Sequence, residues 1–168
     1  LQAGEDSAVL GKVSADRQWA FTTDAFVVTP LFFPGGDIGR LAVFGTVNDL
    51  AAAGAKPLFL SLAVILEEGL DLALLERVTD SVARAAEEAQ VQVVCGDTKV
   101  VESGSADQMF VCTAGVGLIE GEPARPARVQ PGDAVVLSGT IGDHEMAVLL
   151  AREALPFEAK VESDCAPL

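Results

Sequence analysis

The chain has 168 residues, enough for one full domain or for one domain and a piece of a second. Half of it is hydrophobic, aromatics are only 5% and tyrosine is absent, so a core of Val, Leu, Ala and Phe is expected rather than an aromatic stacking surface. A formal net charge of −14 repels phosphate backbones and anionic lipid, which argues against nucleic acid and membrane partners. Cys95, Cys112 and Cys165 are odd in number and have no metal-ligand spacing, so a disulfide framework or zinc site is disfavoured. Each cysteine is expected to be a small buried apolar residue, and the cytoplasm is the natural compartment. No stretch approaches the ~18 apolar residues of a membrane span, and no signal peptide is visible. The chain opens on Leu1 and reads as a fragment or processed product.

In chain order, strands and helices alternate. Ala8 to Val13 and Trp19 to Val28 read as strands, and Phe33-Pro34-Gly35-Gly36 breaks the second. Asp37 to Ala53 reads as a helix with Asp37 as N-cap and Gly54 as C-cap. Lys56 to Glu67 is a long apolar run, expected to be a buried strand, with Glu67-Glu68 in a solvated turn. From Asp71 to Gln90, Leu72, Leu75, Val78, Val82, Ala85 and Ala89 fall on one helical face. Val91 to Val94 reads as a strand ending at Cys95-Gly96-Asp97, and Gln108 to Ile119 as one interrupted by Gly115 and Gly117. The proline-rich stretch from Gly121 to Asp133 is a candidate linker. Val135 to Gly139 then starts a strand, a glycine-bearing loop follows, and a helix begins at Asp143.

The chemistry lies in carboxylates with apolar neighbours. Asp24 stands between Phe21-Thr22-Thr23 and Ala25-Phe26-Val27-Val28, Asp49 inside an apolar helix, Asp97 after Val91 to Val94, and Asp6 before Ala8-Val9-Leu10. An unpaired carboxylate taken out of water costs several kcal/mol, and 11 Lys plus Arg stand against 25 Asp plus Glu. A bound Mg²⁺ shared with phosphate oxygens would relieve several of these burials together, although any one Asp taken singly also suits a cap or turn. The Asn48-Asp49 pair is the hardest to assign to local structure, because neither residue favours a helix interior. Lys99 could meet the same phosphates or be a solvated strand lysine. His144, the single histidine, is either a general base or a residue at a helix start.

Thr22-Thr23-Asp24, Asn48 through Pro57, and Gly96-Asp97-Thr98-Lys99-Val100-Val101 occur in the order found in the superfamily of aminoimidazole ribonucleotide synthetase, selenophosphate synthetase and thiamine-monophosphate kinase. Glu5-Asp6-Ser7-Ala8-Val9 resembles the acidic opening motif of that group. Pro30 through Gly39, Ile65 through Gly69, Gly142-Asp143-His144 and Glu162 through Leu168 resemble, more specifically, the HypE family of hydrogenase maturation factors.

This resemblance implies an α/β fold: an N-terminal synthetase-like domain over residues 1–122 whose mixed sheet pairs across a homodimer, a linker over 123–133, and the truncated start of a second α/β domain over 134–168. It implies ATP and Mg²⁺ as ligands and carbamoyl dehydration as the activity. A HypF-like carbamoyltransferase and a HypC–HypD complex are the implied partners. Asp6, Asp24, Asp49 and Asp97 would hold the metal. Asp24, Asp37, Asn48, Asp49 and Thr98 would contact the nucleotide. Lys99, Asp97 and His144 would serve the chemistry. The family's acceptor cysteine lies in a C-terminal tail that this sequence lacks; Cys165 belongs to an internal motif. Glu145 stands where the family pattern has glycine, which adds charge near a candidate phosphate loop. A small-molecule kinase and a non-catalytic dimerisation module are the competing readings.

Overall fold

The structure is a computed structural model that describes residues 6–153 and 160–168. Glu5 of the opening motif lies outside the described residues. Strands β1 (Ala8–Lys12) and β2 (Arg17–Phe26) form an antiparallel pair, and a short hairpin of β3 (Phe32–Phe33) and β4 (Gly36–Asp37) follows. Then come α1 (Ile38–Ala52), β5 (Ala55–Glu67), α2 (Leu72–Glu88), β6 (Gln92–Val101), β7 (Met109–Glu120) and α3 (Asp143–Arg152). One five-stranded sheet has the order β1-β2-β7-β5-β6. Only β5 and β6, joined through α2, run parallel, as a crossover helix requires. The expected α/β class holds.

Alternation sets the two faces of the sheet. Along β7 the odd positions, Met109 through Ile119, are buried under the helices, and the even positions, Phe110 through Leu118, are half-buried on the other face. Helix α1 rests on β2, β7 and β5, with Ile38, Val43, Phe44 and Leu50 almost wholly buried. Gly115 permits that approach, because a Cβ there would lie 2.8 Å from Thr46 Cγ2 and 3.0 Å from Leu50 Cδ1. The expected interruptions at Gly115 and Gly117 are therefore places where neighbours come close, and the strand runs through them. Among the described residues no helix covers the opposite face, where Trp19, Phe21 and Phe59 are exposed. For that reason β5 is mostly half-buried instead of buried. Among the described residues no helix is long and apolar enough to cross a membrane.

Four further expectations change. Strand β6 does not end at Cys95-Gly96-Asp97, since its ladder with β5 continues to Val101. Gly96 lets the strands close there, as a Cβ would fall 2.4 Å from the Leu62 carbonyl oxygen. Cys95 is exposed on this edge strand, not buried. On α2, Leu72 is 73% exposed, whereas Ser81, a polar residue, is buried for a reason given below. Residues 135–139 form no strand, and Val135 and Val136 are 93% and 84% exposed, because no described strand offers them a ladder.

Candidate functional site

Three of the four candidate metal ligands gather where α1 crosses β2. Thr22 points inward from β2, and its hydroxyl donates to Asp49 Oδ2 at 3.0 Å and lies 2.9 Å from the Asp6 carbonyl oxygen. Ser7 donates to the Asp49 carbonyl at 2.8 Å, which pins the opening strand to α1. Asp24, one inward position beyond Thr22, accepts from the Ala25 amide at 2.7 Å and lies 3.8 Å from a Cβ built at Gly45. Burial pushes the Asp49 carboxyl above its ordinary range; the Thr22 bond opposes this, and the neighbouring Asp24 and Asp6 charges add to it. No basic side chain is paired with Asp6, Asp24 or Asp49 among the described residues.

Such a cluster suits a cation that brings further ligands of its own. No three His, Cys, Asp or Glu side chains among the described residues converge closely enough to enclose an ion by themselves. Mg²⁺ is ordinarily held by one or two carboxylates together with phosphate oxygens and water, so a metal–phosphate complex fits this donor set where a bare ion does not. Ser7 and Thr22, both buried, complete the site and were not singled out from the sequence as site residues. Their signal was a hydroxyl at an inward position, which an apolar core would not select.

Asp97 does not join this cluster within one chain. Its register runs Asp97–Ala63–Cys112–Ala25 across the sheet, and ladder partners project to the same face. That face is the uncovered one, whereas Asp24 pairs with Thr113 on the helix side. Three strand spacings also intervene, about 14 Å. Lys99 lies two residues along on the same open face and grips Asp97, with Nζ 2.8 Å from Oδ2 and 3.1 Å from Oδ1. This bond, with the Thr98 amide at 2.9 Å, holds the exposed Asp97 carboxyl below its ordinary range. Thr98 is exposed at the edge strand.

Asp37 caps α1, as its place just before the helix predicts. Its Oδ1 accepts from the Gly39 and Arg40 amides at 2.8 and 3.1 Å, and its Oδ2 accepts from Ser81 at 2.6 Å. It is 8% exposed, and both oxygens are engaged within the fold. The burial of Ser81 on α2 follows from this bond. Asn48 and His144 face the segment 163–168: Asn48 Nδ2 donates to the Ala166 carbonyl at 3.0 Å, and Oδ1 accepts from the Leu168 amide at 3.0 Å. His144 bonds Ser163 Oγ through Nδ1 at 3.0 Å, and its amide donates to Asp164 at 3.0 Å. Its ring stands edge-on to Phe33, with centroids 5.1 Å apart. Glu67 is also more than a solvated turn residue. Its carboxylate accepts from the Gly104 amide and, at 3.0 Å, from the Gln108 amide, bracketing the β6–β7 loop.

Comparison with known proteins places this geometry in a lineage. Residues 4–119 match the family described as AIR synthase related protein, N-terminal domain. Carbamoyl dehydratase HypE of Cupriavidus necator is 52% identical over 174 residues, which cover all of this chain and 48% of that protein. A crystal structure of a HypE–HypF complex contains a chain 51% identical, superposing with a TM-score of 0.89 over 98% of this chain and 53% of that one. A structure of HypE in complex with ATP is 49% identical, with a TM-score of 0.86 over 98% of this chain and 49% of the other. The chain spans about half the length of the relatives it matches.

Proposed function

Because the chain belongs to the AIR synthase related family through its N-terminal domain, we propose that it is the nucleotide-binding half of a HypE-type carbamoyl dehydratase. The observation that carries this reading is the group Asp6, Asp24 and Asp49 around Thr22, with Asp49 raised by burial and by two like charges, in a chain half identical to a HypE that binds ATP. Asp6, Asp24 and Asp49 would hold Mg²⁺, which supplies charge neutralisation at the transferring phosphoryl group.

In the proposed reaction ATP passes its γ-phosphoryl to the oxygen of a cysteine S-carboxamide. The carbon–oxygen bond then breaks with release of phosphate, and a base removes the protons from nitrogen, leaving a thiocyanate. The cyanide so formed would supply the iron of a nickel-iron hydrogenase through a HypC–HypD complex, after a HypF-like carbamoyltransferase has loaded the cysteine. That cysteine would lie in the part of the protein this chain does not span. The cytoplasm, where ATP is supplied, is the compartment proposed for it.

The uncovered sheet face supports a homodimer as the assembly. Trp19, Phe21 and Phe59, with the half-buried even positions of β7, form an apolar surface of the kind that a second copy covers. Asp97 and Lys99 lie on that face, opposite the carboxylate group of their own chain, so in a homodimer they would serve the nucleotide of the partner. Thr98 would approach it from the same strand. Residues 1–122 are read as the ATP-binding and dimerisation domain, 123–133 as linker and 134–168 as the opening of a second domain.

Isothermal titration of ATP into the chain, with and without Mg²⁺, tests the reading. Magnesium-dependent binding that Asp49→Asn weakens at least ~10-fold is expected, the loss of one charge-assisted contact. Absence of binding with the fold intact by circular dichroism would refute it and leave a dimerisation module.

A further inference from the structure

Segment Ser163–Leu168 is bound to the rest of the chain at four places. The Ser163 amide donates to the Pro34 carbonyl at 2.9 Å. Ser163 Oγ meets His144 Nδ1 at 3.0 Å and accepts from the Cys165 amide at 3.1 Å. Asp164 receives the His144 amide at 3.0 Å. Asn48 closes the far end, one side-chain amide bonding two backbone groups as a neighbouring strand would, with Nδ2 to the Ala166 carbonyl and the Leu168 amide to Oδ1, both 3.0 Å. Between these points Cys165 packs against the core around Val43, Phe44 and Val47 on α1.

The hairpin before α1 is shaped to admit this segment. Gly35 has φ +84°, and a Cβ there would lie 2.5 Å from the Ser163 amide nitrogen and 2.9 Å from its carbonyl oxygen. A side chain at Gly35 and the segment in its observed place are incompatible. Both polar atoms of Asn48 are occupied by the segment, and Asn48 is the residue adjoining Asp49 on α1.

We infer that Asn48 is a positioning residue that acts on the carboxylate site through segment Ser163–Leu168, holding this strap against α1 beside Asp49, and not by touching nucleotide. The inference rests on the nucleotide-site reading above. It makes the strap the link through which residues of the second-domain region set the geometry of a helix in the first.

The two ways in which Asn48 could matter separate cleanly. If it works through the strap, Gly35→Ala, which displaces the strap from its other end at a position outside α1, reproduces the phenotype of Asn48→Ala. The double variant is then no worse than either single one. If Asn48 contacts nucleotide, only Asn48→Ala weakens binding and the effects add. Ser163→Ala, which removes the Oγ bonds to His144 and Cys165 without placing an atom in the hairpin, is the milder companion should Gly35→Ala disturb folding.

Cys165 reports on the strap directly. In the intact chain its thiol is packed against α1, and lifting the strap exposes it. The experiment measures thiol labelling at Cys165, resolved by peptide mass spectrometry, and magnesium–ATP affinity by titration, for wild type, Asn48→Ala, Gly35→Ala, Ser163→Ala and the Asn48→Ala/Gly35→Ala pair. Expected are a ~10- to 30-fold faster labelling at Cys165 in Asn48→Ala, the shift in open population from losing two hydrogen bonds, a rise in the same direction in Gly35→Ala and Ser163→Ala, and parallel non-additive losses of affinity. Weakened binding in Asn48→Ala with unchanged Cys165 labelling overturns the inference. So does faster labelling in every variant with wild-type affinity. Absence of magnesium-dependent binding by wild type refutes the nucleotide reading instead, and the labelling rates then still decide whether Asn48 holds the strap.

Discussion

Replacing Asp37 by alanine should cost the fold several kcal/mol while telling little about nucleotide. The carboxylate accepts three hydrogen bonds, two from the first-turn amides of α1 and one from Ser81 on α2, at 2.8, 3.1 and 2.6 Å. Loss of an N-cap costs about 0.5–2 kcal/mol. A hydrogen bond to a charged group contributes about 1.5–3 kcal/mol, and Ser81, 2% exposed, would keep a hydroxyl without its partner. The two losses share one side chain and do not simply add, so Asp37→Ala is expected to lower stability by about 3–4 kcal/mol. With an m-value of about 1–3 kcal/mol per molar for urea, the midpoint should fall by at least ~1 M. Asp37→Asn keeps an acceptor for the cap and can donate to Ser81 Oγ, so about 1 kcal/mol is expected. Urea titrations followed by circular dichroism measure both, and ATP titration of Asp37→Asn should give wild-type affinity. An alanine variant within 1 kcal/mol of wild type, or an asparagine variant that folds normally but loses nucleotide, would refute the assignment of Asp37 as a cap.

Asp49→Asn should make the ligand-free fold more stable at neutral pH. Burial raises the native carboxyl above its ordinary range, so the native state binds that proton more tightly than the unfolded chain does. The penalty is fully present above the raised value and disappears as pH falls to the ordinary carboxylate range. Urea midpoints of the two proteins should therefore converge on acidification, and a less stable variant at neutral pH would contradict this. Glu67→Ala removes the acceptor of the Gly104 and Gln108 amides and should cost about 1–3 kcal/mol, with faster proteolysis inside the β6–β7 loop. Thiol labelling of the native chain should proceed first at exposed Cys95 and last at Cys165. Burial pushes the Cys165 thiol up to about 11, leaving ~0.1% thiolate at pH 8. Equal rates at all three cysteines would contradict the packing of Cys165 on α1.

How much of this was legible in the sequence depends on the range over which the signal acts. Helix α1, its cap at Asp37 and the turn at Gly54 could be placed because capping and periodicity are local. The three carboxylates could be nominated because each stands within or just before an apolar run. Which of them meet could not be read, since that depends on register. A strand that continues through Gly96 puts Asp97 on one face of the sheet, and a one-residue slip would have put it on the other. The length of β6 was missed because Cys95-Gly96-Asp97 looks like a turn unless the close approach of the β5 backbone is known. Asn48 and His144 attracted attention as polar residues in apolar or glycine-bearing surroundings, yet their partners lie 118 and 19 residues away. The strand expected at residues 135–139 has the right composition, but a strand is defined by a neighbour, and the described residues provide none.

The placement of the acidic group and Lys99 on opposite faces of one sheet has a genetic corollary. If each nucleotide is shared between subunits, a chain carrying Asp49→Asn and a chain carrying Lys99→Ala are each inactive alone, yet a mixed dimer contains one undamaged site beside one doubly damaged site. Two defective alleles expressed together would then complement, restoring about a quarter of all sites under random assembly. The same two lesions on a single allele would restore nothing.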